Sequence, residues 1–378
     1  PRSRLPNSHL WILESVYVMR FVETNRNSVN PTHIKRETMK TLTTFLTGAL
    51  MLANITTHAR IIRVNSVAAF ATTCTDCYQT LATAYGAAQD DDTIHLEPAD
   101  ANYGDLTIQK RLVIIGAGYK LGAAPNNIGL QANSQTSKVN LLTLNNINSQ
   151  GTVIMGLHFV DQFGGVTIAN TSDITVSRCY FNSSLDIAFP NGGTGVSNIL
   201  VAENFISGSI THNQFAQTIT NLTIRNNIIN GNLSFAEAAD VIENLLVLNN
   251  TLLSTGNHAL KNAEVAYNVF YGNIAGSNNT VHDNISATSL VGGDASNQVV
   301  NMGNVYNLLV GTDDSKYDIL AASPYNEGGA QGRGAFSGIS PYRLSGIPNI
   351  PTIYSLQSTL NTTPGGTVNV TLSTKSNN

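Results

Sequence analysis

Charge is scarce in this chain: Asp, Glu, Lys and Arg make up 12% of its 378 residues, about half the usual share. Cysteine is sparser still, with three copies beside a single tryptophan, too few for a disulfide scaffold. Cys74 and Cys77 form a lone C-x-x-C. Without a second such pair or paired histidines, the four ligands of a structural zinc site are missing. The βαβ setting of a thioredoxin-like motif is missing too. In an exported chain a local Cys74–Cys77 disulfide is the expected state.

Long apolar runs are also lacking. Leu42 to Ile55 is mostly apolar but falls short of the ~20 residues of a membrane span. It follows Met39-Lys40 and leads into Thr57-His58-Ala59. A positive charge, a short apolar stretch and small residues before a cut site read as a secretory signal peptide over 39–59. Residues 1–38 then read as a leader upstream of the natural start. Beyond Ala59 there are 13 basic and 21 acidic residues, a net charge of −8. A modestly acidic chain without a basic stripe is not built for nucleic acid. The expected location is outside the cell or on its surface, without a transmembrane span after cleavage. Expected partners are polysaccharide or other cell-surface components.

What is abundant is Asn, Thr, Ser and Gly, which suits tightly turning β structure because Asn and Gly tolerate positive φ. One short phrase recurs between about Gly151 and Ile285, as in Ile174 to Phe181, Leu222 to Ile229 and Leu245 to Leu252. Its fixed position falls at Leu157, Cys179, Asn204, Asn227, Asn250, Asn268 and Asn284, in steps of 22, 25, 23, 23, 18 and 16 residues. Such a period indicates a solenoid, in which each turn buries its apolar side against its neighbours.

Aligned on that position, the copies form columns. Five residues earlier stand Ile174, Ile199, Leu222, Leu245 and Ala263; three earlier, Ile154, Val176, Val201, Ile224, Val247, Val265 and Val281; two later, Phe159, Phe181, Ile206, Ile229, Leu252 and Phe270. This alternation puts one face inward. Leu157 and Cys179 place the fixed column inside as well, so its asparagines are expected to satisfy one another as a buried ladder. The preceding column, which holds Arg178, Glu203, Asn226 and Asp283, is expected to face solvent. Asn227→Leu should therefore be more harmful than Asn226→Leu.

Leucine-rich repeats share part of this grammar, with one strand per turn. Here each coil holds a second strand-like phrase, as in Gly165 to Asn170 ahead of Ile174, which indicates an all-β, right-handed parallel β-helix over 60–335. The right hand follows the general preference of parallel connections. Tyr78 to Gln89 reads as a short capping helix. It is followed by strand-like Asp92 to Leu96, Leu106 to Ile108 and Leu112 to Ile115. This opening resembles that of the secreted β-helix proteins of the pectate-lyase-like superfamily, in particular uncharacterised members from Bacteroidetes-type bacteria. The resemblance spans roughly Thr72 to the C-terminus. It implies the fold and export, while the superfamily includes lyases, hydrolases, adhesins and non-catalytic members.

From 336 to 378 the chain becomes a Pro-rich tail. Thr352 to Gln357 and Thr367 to Leu372 read as a hairpin across Pro364-Gly365-Gly366, expected to cover an open end of the solenoid or to serve as a contact module.

Lyase or hydrolase chemistry on acidic polysaccharide needs charges gathered on one outward face. The candidates are Arg178 and Glu203, one coil apart in one column, with Arg225, His282 and Asp283 nearby. The spacing of Arg178 and Glu203 is that of an exposed ion-pair ladder. Asp90, Asp91 and Asp92 are the one acidic run and the candidate metal site, for Ca2+ if the protein is a lyase; one run supplies few of the 6–8 oxygens calcium takes. No other cofactor is implied. The expected function is a non-catalytic or glycan-binding surface β-helix. The alternatives are a polysaccharide lyase or glycoside hydrolase and an adhesin or structural surface protein.

Overall fold

Three parallel sheets of eleven, nine and eight strands wind around one axis. The computed structural model describes residues 59–377, apart from 183–184, 190–194, 213–217, 237–240, 328 and 359–366. The leader at 1–38 and the signal peptide at 39–59 lie outside the described residues, save Ala59.

One coil gives the plan. Val153–Met155 lies in the eleven-strand sheet, His158–Phe159 in the nine-strand sheet and Gly165–Ile168 in the eight-strand sheet. Thr175–Ser177 then returns beside Val153–Met155 in parallel register. Three strands per turn exclude the leucine-rich-repeat alternative and establish a right-handed parallel β-helix. The inward columns are as the periodicity requires: Val176, Val201, Ile224 and Val247 are fully buried and pair in register. Phe159 stacks on Phe181 at 4.4 Å between ring centroids. Each such side chain contributes on the order of 1.5–3 kcal/mol through burial.

The fixed column is a buried amide ladder. Asn227 Oδ1 accepts from Asn204 N at 2.9 Å and from Asn204 Nδ2 at 3.0 Å. Asn227 in turn donates to Asn250 Oδ1 from both nitrogens, and the pattern repeats through Asn268 and Asn284. It extends one member beyond the sequence reading, to Asn297. At the start Cys179 N donates to Asn204 Oδ1, and burial pushes the Cys179 thiol up to about 12, which makes it an inert packing group.

Both corners flanking the eleven-strand sheet are left-handed. Arg178, Glu203, Asn226, Asn249, Tyr267 and Asp283 have φ between 53° and 60° at one corner. Asp173, Asn198, Asn221, Asn244, Asn262 and Asn278 have φ between 52° and 57° at the other. Asparagine and aspartate adopt this region readily, whereas other side chains meet steric cost there. The second corner carries an outer amide row that the sequence reading missed, Asn244 to Asn221 to Asn198 to Asp173, each link at 2.8–2.9 Å.

The N-terminal end is closed by a helix, Leu81–Ala87, which buries Leu81 and Ala84 and is capped by Thr80 Oγ1 on Thr83 N. It is shorter than expected because Cys77–Tyr78 instead pairs as a strand with Arg63–Val64. Cys74 and Cys77 form the expected disulfide.

The coil strands stop at Gln298–Val299. Residues from 300 onward turn back and clad the outside of the nine-strand sheet. Its outward residues Phe205, Ile228, Val269 and Ile285 are buried against Tyr306, Ile319, Ala335 and Tyr342. At the far end of this cladding lies a polar knot. The carboxylate of buried Asp314 accepts from Asn127 Nδ2, Thr312 Oγ1 and Ser345 N at 2.8–3.1 Å. Thr352–Ser358 and Val370–Lys375 pair antiparallel as the expected hairpin; the Pro364–Gly366 connection lies outside the described residues. The hairpin does not close the C-terminal end. It lies beside the early coils, where Ala132 N donates to Ile353 O at 2.8 Å.

Buried His258 makes stability depend on pH. Its Nδ1 accepts from Leu233 N at 3.2 Å, and burial lowers its pKa from 6.5 to about 4. Below pH ~6.5 the unfolded chain binds a proton that the folded one refuses, so stability is lost as pH falls toward 4. Between pH 7 and 4.5 this residue accounts for roughly 2–3 kcal/mol. His258→Gln should reduce the acid-induced loss by that amount in chemical denaturation; parallel pH profiles would refute the assignment.

Candidate functional site

The corner column read as exposed is covered. Residues 332–349 run along it as a strap, in reverse coil order. Arg333 Nε donates to Asp283 O, Gly334 N to Tyr267 O, and Asn249 Nδ2 to Gly332 O. Asn226 Nδ2 donates to Ala335 O and Ser337 O, and Ser340 Oγ donates to Glu203 Oε1. Gly346 passes so close that an added Cβ would lie 2.3 Å from Arg178 O and from the Tyr119 ring.

Arg178 and Glu203 are therefore a buried pair and not a surface ladder. Their side chains are each 6% exposed, with Arg178 Nε donating to Glu203 Oε2 at 2.7 Å. Arg178 Nη1 also donates to Ile347 O at 3.2 Å and Asn349 Oδ1 at 2.5 Å. Asn226, expected outside, is buried for the same reason. Contacts at separations of 169 and 171 residues leave no periodic trace in sequence.

The other candidates separate. Arg225 Nη1 donates to Asn226 Oδ1 at 3.3 Å. His282 sits farther along, partly exposed, with Nδ1 2.8 Å from Asp283 Oδ2 and Nε2 3.7 Å from Glu264 Oε1. The acidic run is divided among separate partners. Asp90 Oδ1 accepts from Arg111 N, Asp91 pairs with the Arg111 side chain, and buried Asp92 pairs with Arg60 and accepts from Gln89 N. The Arg60 bond and the Gln89 and Arg60 amides together outweigh burial and hold the Asp92 carboxyl below its ordinary range. Among the described residues no three Asp, Glu, His or Cys side chains converge as a metal site.

A groove of about 760 Å3 lies elsewhere, between the outer face of the first coils and the hairpin. It exceeds the shallow troughs of about 650 and 540 Å3 along the second corner. Its polar wall includes Arg63, His95, Glu97, Gln131, Asn133 and Gln135. Arg63 and His95 are register partners on adjacent strands, Ile61–Val64 and Thr93–Leu96, whose alternate residues fill the core. Strand alternation thus points both outward. Arg63 Nε donates to Glu97 Oε1 at 2.7 Å, and Nη2 reaches the same oxygen. Burial holds the His95 imidazole below its ordinary pKa, with Glu97 opposing and Arg63 adding to the shift. The Gln131 side-chain carbonyl oxygen is shielded from water and has no hydrogen-bond partner. The opposite wall is apolar, with Pro348, Ile350, Pro351, Ile353 and Leu356. Sequence reasoning missed this site because its walls lie some 250 residues apart; the local signal was the alternation that turns Arg63 and His95 outward in Ile61–Val64 and Thr93–Leu96.

No family model matches the chain, and neither a curated protein nor a solved structure matches it significantly.

Proposed function

We propose that this chain is an exported β-helix that binds polysaccharide without cleaving it, with the groove beside the hairpin as its ligand site. The observation that carries this reading is the burial of Arg178 and Glu203 beneath the strap. Proton abstraction next to a uronate needs an accessible base and neutralisation of the adjacent carboxylate, and the strap engages both members of the leading candidate pair. A groove with one hydrogen-bonding wall and one apolar wall suits a sugar ring, which presents hydroxyls at its rim and C–H groups on its faces. The signal-like segment at 39–59 and the Cys74–Cys77 disulfide support export. The likeness to pectate-lyase-like proteins stands within the same proposal, as a likeness of architecture with a binding role.

A lyase reading would rest on His282, held between Asp283 and Glu264. The test is incubation of the purified chain with pectin, alginate and chondroitin, with and without calcium. Ultraviolet absorbance should report no unsaturated product. Turnover that disappears in His282→Ala would place the protein among enzymes.

A further inference from the structure

We infer that the groove between the first coils and the hairpin takes a neutral hexopyranose unit of a polysaccharide and discriminates against a uronate. The inference rests on the glycan reading above and names the class of sugar. Three observations carry it.

The first is the charge of the polar wall. Arg63 directs both Nε and Nη2 at one oxygen of Glu97, so the cation that would recognise a uronate already faces a carboxylate. An incoming carboxylate would have to displace Glu97 or lie beside it, and like charges at such range repel. Arg63 also lies over the Phe70 ring at 5.2 Å, which fixes its direction.

The second is the kind of hydrogen-bonding capacity left over. The Gln131 carbonyl oxygen lacks a donor, and Arg63 engages one oxygen of Glu97, leaving the other free of that contact. Unmet acceptors call for a ligand rich in donors, and hydroxyl groups supply them. A buried acceptor without a donor costs ~1–3 kcal/mol, which a ligand hydroxyl would recover.

The third is the facing wall. Ile350, Pro351, Ile353 and Leu356 offer apolar surface to the C–H face of a pyranose, and Leu356 is 59% exposed and open to contact. A carboxylate on the ring would meet that surface unfavourably.

The experiment is calorimetric titration of the full chain with cellohexaose, mannohexaose, laminarihexaose and hexagalacturonate at physiological salt. At least one neutral hexamer should bind, and hexagalacturonate should bind at least ~tenfold more weakly, a difference of ~1.4 kcal/mol. Gln131→Leu, on the polar wall, and Leu356→Asp, on the hairpin, should each weaken the neutral complex by ~tenfold or more. Thermal melts matching the parent would show both variants folded; Gln131→Leu removes an unpartnered acceptor and should not lower stability. Tighter binding of hexagalacturonate would overturn the neutral-sugar assignment and leave the glycan reading standing. Neutral binding unchanged in both variants would overturn the location. Silence of all four probes would remove the glycan reading itself.

Discussion

Asn227→Leu should destabilise the protein by ~3–6 kcal/mol. The side chain accepts two hydrogen bonds from Asn204 and donates to Val201 O, Arg225 O and Asn250 Oδ1. Leucine would fill the volume, strand the Asn204 backbone N–H and take one partner each from Asn204 Nδ2, Asn250 Oδ1 and the Val201 and Arg225 carbonyls inside a dry stack. Each stranded buried group costs ~1–3 kcal/mol, and relaxation is limited because the coils above and below fix the spacing. Asn226→Leu should also destabilise, by ~2–3 kcal/mol, through two lost bonds to the strap and a leucine forced into left-handed backbone. Chemical denaturation separates the two. Equal losses would mean that the ladder is no more critical than the strap contact.

The solenoid was legible because its core is periodic: Val176, Val201, Ile224 and Val247 recur at coil spacing and meet in register. The ladder was legible because Leu157 and Cys179 mark its column as interior. Two features carried a local signal that was passed over. Phe205-Ile206, Ile228-Ile229 and Val269-Phe270 place adjacent apolar residues in one short strand, the mark of a strand buried on both faces. An asparagine precedes each inward residue at Ile199, Leu222 and Leu245, and it forms the outer amide row. The strap itself has no such mark. Its glycines and serines meet Arg178, Glu203 and Asn226 only after the chain has reversed along the whole stack, and no short-range pattern encodes that return. The groove depends on the same return, since its apolar wall is the strap's continuation into the hairpin. Arg178 and Glu203 did hold one clue: both stand in a left-handed column where asparagine would fit at lower cost, so their side chains serve a contact that asparagine cannot make.

The second large effect concerns that contact. In Arg178→Met, Glu203 would remain buried with Ser340 Oγ as its remaining partner, and breaking a buried pair in this way costs ~3–5 kcal/mol. Glu203→Gln keeps the hydrogen-bonding shape and removes the counter-charge, so its cost should be smaller, ~2–3 kcal/mol. The double variant carries no buried charge at the corner and should be markedly more stable than the two separate losses imply. The double-mutant cycle on Arg178→Met and Glu203→Gln, read by urea denaturation of the full chain, tests most directly whether these charges hold the strap instead of facing a substrate. Burial under the strap predicts large single losses and a coupling above ~1.5 kcal/mol. Single losses below ~0.5 kcal/mol that simply add, as for an exposed surface pair, would contradict it.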